Sequence, residues 1–89
     1  MNKNELYAKA KDTYGLEAQL IVAIEECSEL QKELTKYLRG KGSRKNIAEE
    51  VADVEIMIEQ IRYFFDLGIS VEMVKKIKLE RLEKRVNNG

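Results

Sequence analysis

The apolar residues of this chain recur with the spacing of helices along most of its length. Between Leu16 and Arg39 they fall on one stripe, at about 100° per residue, which is typical of an amphipathic helix. The members of this stripe are Leu20, Ala23, Ile24, Cys27, Leu30, Leu34 and Leu38. A second stripe of the same kind is formed by Ile47, Val51, Val54, Ile58, Ile61 and Phe65. The pattern therefore predicts two long helices, each with one apolar side.

Shorter signals predict helices on both sides of these two. Asn4–Tyr14 is predicted as a first helix with Gly15 just beyond its end, and the second helix then covers Leu16–Arg39. The chain has no proline, so nothing forces a break within a helix. We expect a single all-α domain over residues 1–89, an antiparallel bundle of about four helices with two long central ones.

Capping signals indicate where the third helix begins and ends. Asn46 with Glu49 three residues later resembles a capping box, and Ser43 is the competing cap. The third helix is expected to end near Leu67, with Gly68 as its terminating residue.

The fourth helix is predicted to begin at a Ser70 cap and to run to about Val86. It carries a basic column, Lys78, Arg81 and Arg85, at positions i, i+3 and i+7. Arginine suits bidentate phosphate contacts and lysine acts as a point charge, so these three are candidate ligands of a substrate phosphate. The alternative is that they belong to a solvated helix face.

The charge balance argues against two classes of partner. Lysine plus arginine number 16 and aspartate plus glutamate number 16, so the net charge is zero, and we expect neither nucleic acid nor membrane as a partner. A single cysteine and the absence of a signal-peptide pattern predict a cytoplasmic protein. The chain has no histidine, which excludes Cys/His zinc modules and histidine-based acid–base catalysis. Because a chain of 89 residues buries a small share of its surface, self-association is expected.

Two pairs of carboxylates carry the candidate chemistry. Glu26 and Glu29 lie beside the stripe of the second helix, and Glu50 and Asp53 lie beside that of the third. Residues three apart project from nearly the same side of a helix, so each pair can converge. Ionised carboxylates at the edge of a core need a cation, and all-oxygen ligation suits Mg²⁺ or Mn²⁺. The alternative is that they are surface charges of solvated helices with lysine neighbours.

The remaining residues of the two acidic clusters have other interpretations. Glu25 points further from the stripe and is, with Glu29, a candidate base. Glu49 is explained by capping, and Cys27 and Val51 are interpreted as packing residues.

The combined motif of Glu-Glu-x-x-Glu, some twenty residues, and Glu-x-x-Asp resembles the signature of the MazG-like all-α nucleoside triphosphate pyrophosphohydrolases. The resemblance covers Glu25 to about Ile58. It implies magnesium-dependent hydrolysis of a nucleoside triphosphate, with ribose or deoxyribose, to the monophosphate and pyrophosphate. It also implies a homo-oligomer, dimer or tetramer, with sites near subunit interfaces. The metal ligands it implies are Glu26, Glu29, Glu50 and Asp53.

A different class of function is also consistent with the sequence. The chain would then be a non-catalytic helical module for dimerisation or regulation, and its acids would be surface charges or the remains of a degenerate metal site. Turnover of a nucleoside triphosphate distinguishes the two hypotheses.

Overall fold

The computed structural model describes residues 1–88 and folds them into four α-helices, without a strand in that range. The helices are α1 (Lys3–Tyr14), α2 (Leu16–Leu38), α3 (Arg44–Phe64) and α4 (Gly68–Asn88). The all-α prediction with four helices is thereby confirmed. Within the same range, no helix is both long enough and apolar enough to cross a membrane.

The first turn of α3 is capped by Ser43. Its hydroxyl accepts a hydrogen bond from the Asn46 backbone N–H at 3.1 Å, and its backbone is extended, as a capping residue requires. Asn46 already lies inside the helix and cannot also be its cap. The predicted capping box was therefore wrong, and with it the capping role of Glu49.

The junction between α3 and α4 differs from the predicted one. Asp66 takes the left-handed conformation with φ 51°, and the Leu67 N–H donates to the Arg62 carbonyl at 2.8 Å, which closes the last turn of α3. Aspartate tolerates this conformation better than most side chains, so a glycine is not needed there. Gly68 is instead the first residue of α4, and Ser70 lies inside that helix. The predicted stop at Gly68 and the predicted Ser70 cap were both wrong.

Helix α4 touches the rest of the chain only near its start. It packs against α3 and against neither α1 nor α2. At the junction, the Arg62 guanidinium donates to the Gly68 carbonyl at 3.2 Å and to Glu72 at 2.9 Å. Beyond Val71 every described residue of α4 is exposed. Helices α1, α2 and α3 therefore form the packed unit, and α4 extends from it.

The interior of this unit is small and partly polar. Its buried apolar side chains are Tyr7, Ala23, Val54 and Met57. Three polar side chains are equally buried, namely Gln19, Glu33 and Gln60. Helices α2 and α3 therefore meet through a mixed surface.

Only part of the predicted apolar stripe of α2 faces α3, because Ala23 is buried whereas other members are exposed. Ile24 is 66% exposed, Leu34 is 45% exposed and Leu38 is 84% exposed. Cys27 is exposed as well, so its assignment to the core was wrong, and Val51 of α3 is 37% exposed. The side of α2 that lies against α3 carries Gln19, Ala23, Glu26, Leu30 and Glu33. Helix α2 is thus turned so that Glu26 and Glu33 lie along its contact with α3 beside Ala23 and Leu30.

Candidate metal site

Three carboxylates from two helices converge on the α2–α3 surface. Ligand oxygens of Glu26, Glu50 and Asp53, called here the acidic triad, all lie within 4.8 Å of one another. Glu26 and Glu50 are half-buried and Asp53 is exposed. Oxygen ligands of Mg²⁺ lie about 2.1 Å from the ion, so small side-chain rotations bring these oxygens to one cation. The structure therefore brings together three of the four predicted ligands.

The local sequence explains this convergence. Glu50 and Asp53 are separated by three residues on α3 and so project from one side of it. Glu26 lies on the side of α2 that packs against α3, in line with the buried Ala23 and Glu33. The short connection between α2 and α3 allows the two helices to pack against each other along their length.

Burial and mutual repulsion both act on the triad. Burial raises the pKa of Glu26 above its ordinary value, and the negative charges of Asp53 and Glu50 raise it further. Burial also raises the pKa of Glu50, with additional contributions from Asp53 and Glu29. Every charge that shifts these two groups is negative. The triad therefore has no cationic partner among the described residues.

The lack of a partner is clearest at one carboxylate oxygen of Glu50. Its Oε2 atom is buried and has no hydrogen-bond partner among the described residues. A buried carboxylate oxygen without a partner bears the full cost of its lost hydration. Ligation of a divalent cation would satisfy it, so the donor set fits Mg²⁺ or Mn²⁺ on both charge and chemistry.

Glu29, the fourth predicted ligand, lies next to the triad but outside it. Its side chain is exposed, and it is not among the residues whose oxygens come within 4.8 Å of one another. Its charge nevertheless raises the pKa of both Glu26 and Glu50. Glu25, the other candidate base, is also exposed, but its charge shifts neither group. Of the two candidate bases, Glu29 is the one that faces the triad.

A further carboxylate, Glu33, was missed by the sequence analysis. It is 9% exposed; its Oε1 lies 3.4 Å from Lys36 Nζ, and its Oε2 is buried without a hydrogen-bond partner. Its charge also contributes to the raised pKa of Glu50. The signal was present, because Glu26, Glu29 and Glu33 are spaced i, i+3 and i+7. The assumption that Leu34 faces the core concealed it.

The basic column of α4 forms a group of its own. Lys78, Arg81 and Arg85 line one open groove together with Lys84. None of the four makes an ion pair within the described range 1–88, where the ion pairs of α4 involve Glu72. Since α4 does not contact α2, the structure of one chain does not bring these cations to the acidic triad.

Comparisons of the chain with models of protein families, with curated proteins and with solved structures give no match. The resemblance to the MazG-like enzymes therefore rests on the two-part acidic motif and on the helical arrangement that presents it.

Proposed function

We propose that this chain is a magnesium-dependent nucleoside triphosphate pyrophosphohydrolase of the MazG-like type. The observation that carries the proposal is the acidic triad. Among the described residues, the buried Glu50 Oε2 has no hydrogen-bond partner and no cation pairs with the triad. Glu26, Glu50 and Asp53 would hold the ion, and Glu29 lies beside them as a fourth carboxylate.

The residues around the triad have separate roles in this proposal. A bound Mg²⁺ supplies neutralisation of phosphate charge and a bound water of lowered pKa. Glu29, which is exposed and next to the triad, takes the proton from the attacking water. Glu33 lies further along α2, buried near Gly42 of the α2–α3 loop, and adds negative charge at Glu50. The attack falls between the α and β phosphates, which gives the monophosphate and pyrophosphate.

The substrate phosphates need cations that the triad does not supply. Lys78, Arg81 and Arg85 are assigned this role, since they lie together and make no ion pair with the described acids. In one chain they are not at the triad, so the proposal includes a homo-oligomer, a dimer or a tetramer, in which α4 of one copy reaches the site of another.

The experiment that tests this function measures pyrophosphate release from a panel of ribo- and deoxyribonucleoside triphosphates with Mg²⁺. We expect release from at least one member, and loss of both release and Mg²⁺ binding in Glu50→Gln and Asp53→Asn. Glu49→Gln is the matched control, because Glu49 neighbours Glu50 but is exposed and outside the triad. Unchanged Mg²⁺ affinity in Glu50→Gln and Asp53→Asn, measured by calorimetry, would remove the triad from the site.

One observation favours the second candidate function, a non-catalytic helical module. Among the described residues, twenty large apolar side chains are exposed, and they are distributed over all four helices and the adjoining turns. Where such side chains form a contiguous patch, the patch is typical of an interaction site. An absence of turnover across the panel, combined with stable self-association, would favour this module over the enzyme.

A further inference from the structure

One arginine ties helix α4 to the packed unit. The Arg62 Nη2 atom on α3 donates to the Gly68 carbonyl at 3.2 Å and to Glu72 Oε1 at 2.9 Å. Gly68 is the first residue of α4 and Glu72 lies about one turn further on, so a single guanidinium holds the first turn of α4 at both ends. Within residues 1–88 no other side-chain hydrogen bond joins α4 to the rest of the chain. Arg62 with Gly68 and Glu72 is called here the Arg62 clamp.

Beyond the clamp, nothing in the described chain restricts the direction of α4. The helix packs against α3 alone, and every described residue after Val71 is exposed. The half-buried Leu67 and Val71 make apolar contact at the junction, but the hydrophobic effect is not directional. Two hydrogen bonds from one planar guanidinium are directional, so they restrict the angle at which α4 leaves α3.

The clamp acts through geometry more than through stability. The hydrogen bond from Arg62 lowers the pKa of Glu72, and the charge of Lys75 lowers it further, so the carboxylate is ionised at neutral pH. The Arg62 side chain is 28% exposed and that of Glu72 is 59% exposed. An ion pair in such contact with water contributes little to the free energy of unfolding. Its loss should therefore change the direction of α4 without unfolding the chain.

The cations of α4 lie far enough from the clamp to amplify a change in direction. At a rise of 1.5 Å per residue, Arg81 lies about 14 Å and Arg85 about 20 Å along the helix axis from Glu72. A change of about 20° in the direction of α4 would move Arg85 by about 7 Å. Bidentate contacts to a phosphate depend on donor–acceptor distances within a few tenths of an ångström. Angular order at the junction therefore decides where these cations are found.

We infer that Arg62 is a positioning residue, which fixes the direction of α4 and so places Lys78, Arg81 and Arg85 for a substrate phosphate. Arg62 itself contacts neither metal nor substrate and acts through α4. The identity of the ligand rests on the proposed function, whereas the clamp does not. Since these cations are assigned to the triad of another copy, the direction of α4 decides whether they reach it.

Three substitutions separate the clamp from charge in general. Arg62→Ala removes both hydrogen bonds. Glu72→Ala removes one of them and little packing, because its side chain is largely exposed, so it stays informative if Arg62→Ala unfolds the chain. Lys75→Ala is the matched control: Lys75 Nζ lies 3.9 Å from the same Glu72 carboxylate, but that pair lies within α4 and does not join two helices. Alanine is the best helix former, so none of the three weakens a helix through propensity.

The first measurement is the distance between the packed unit and the end of α4. One nitroxide label is attached to the exposed Cys27 and a second at Glu83→Cys, which is also exposed, and pulsed electron paramagnetic resonance gives the distance distribution. Labelled chains are diluted with unlabelled ones, without Mg²⁺ or nucleotide, so that only distances within one chain are measured. We expect a narrow distribution in the parent and in Lys75→Ala, and one about twofold wider or more in Arg62→Ala and Glu72→Ala. Equal widths in all four proteins would overturn the inference, as would equal broadening in Lys75→Ala.

The second measurement asks whether the substrate site uses this direction. Because the α4 cations hold phosphate in the ground state and in the transition state alike, Arg62→Ala and Glu72→Ala should raise KM by about fivefold or more and leave kcat and Mg²⁺ affinity nearly unchanged. An unchanged KM in variants whose distance distributions have broadened would overturn the positioning role. A wild-type chain without turnover would count against the proposed function alone, since the distance measurement decides the clamp without any activity.

Discussion

At the scale of single residues, Glu26 and Glu50 make the stability of the chain depend on pH and on the proposed cation. Both are partly buried among other carboxylates, and the pKa of each is raised above the ordinary 4.5. In the folded chain they therefore take up protons at a higher pH than in the unfolded chain. At neutral pH their ionised forms lower the stability of the folded chain, and the proposed cation would offset this loss.

This conflict predicts an unusual dependence of stability on pH. Between 4.5 and the raised pKa values the folded state binds more protons, so the free energy of unfolding rises as pH falls through that window. We expect the Tm of the metal-free protein to increase from pH about 7 to about 5, and the increase to be smaller in Glu50→Gln. Thermal unfolding followed by circular dichroism measures both.

The control for that experiment is added Mg²⁺. Protons compete with a metal for the same oxygens, so stabilisation by Mg²⁺ should be greatest near neutral pH and disappear as pH falls. Glu72 does not confuse the result: Arg62 lowers its pKa below 4.5, so its contribution is lost only at lower pH. A Tm that falls steadily from neutral pH in the metal-free wild type would contradict the proposed strain in the triad.

At the scale of the helices, the cap of α3 matters because this helix carries two of the three triad residues. Ser43→Ala removes the hydroxyl that satisfies the Asn46 N–H, and we expect it to lower the free energy of unfolding by about 1 kcal/mol. Asn46→Ala removes the competing candidate, whose side chain caps nothing, and should change stability by less than about 0.5 kcal/mol. Urea titration of the two variants measures the difference, and equal losses would mean that Ser43 is not the cap.

The helices themselves were predictable because their signals are local. Apolar spacing located α1, α2 and α3 to within a few residues, and the acidic pairs at i and i+3 located Glu50 beside Asp53. The junctions were less predictable, because more than one residue type satisfies them. Asp66 takes the left-handed conformation that glycine usually adopts. Because Gly68 follows two positions later, the sequence pattern pointed to that glycine instead.

The orientation of α2 could not be predicted from its own sequence. Periodicity shows that a helix has an apolar side, but what that side faces depends on the partner that covers it. In the structure Glu26 and Glu33 face α3, while Ile24 and Leu34 remain exposed. The buried Glu33 was missed for this reason. An apolar stripe predicts that a helix packs against a partner, but it does not show whether that partner is in the same chain or in another one.

Helix α4 also shows that the sequence of a helix does not reveal what covers its apolar side. A single helix of 21 residues that touches its own chain only at one end gains little from tertiary packing, yet it carries Ile69, Met73, Ile77 and Leu82. Its cations lie together on one groove and its acids Glu80 and Glu83 line another. This segregation of charge is what a helix needs in order to contact one surface of another molecule in a fixed orientation.

At the scale of the whole molecule, the dimensions show an extended fold. The radius of gyration is 16.1 Å, whereas a compact domain of this length has a value of about 12 Å. The larger radius of gyration reflects α4, which extends away from the packed α1–α3 unit, and the absence of further chain segments packed over α2 and α3 in the described residues. The proposed homo-oligomer would cover part of this open surface and add contacts between chains.

The proposed homo-oligomer predicts that unfolding of the chain is coupled to dissociation of the oligomer. Because association stabilises only the folded chains, the Tm should rise with protein concentration. Differential scanning fluorimetry over a broad series of dilutions measures it, with Mg²⁺ absent so that the triad contributes no change. A cooperative transition whose Tm stays constant across the series would show that one chain folds alone. The folded monomer would then keep its exposed apolar side chains in contact with water. We do not expect that outcome, because a core with four buried apolar side chains gives a single chain little hydrophobic stabilisation.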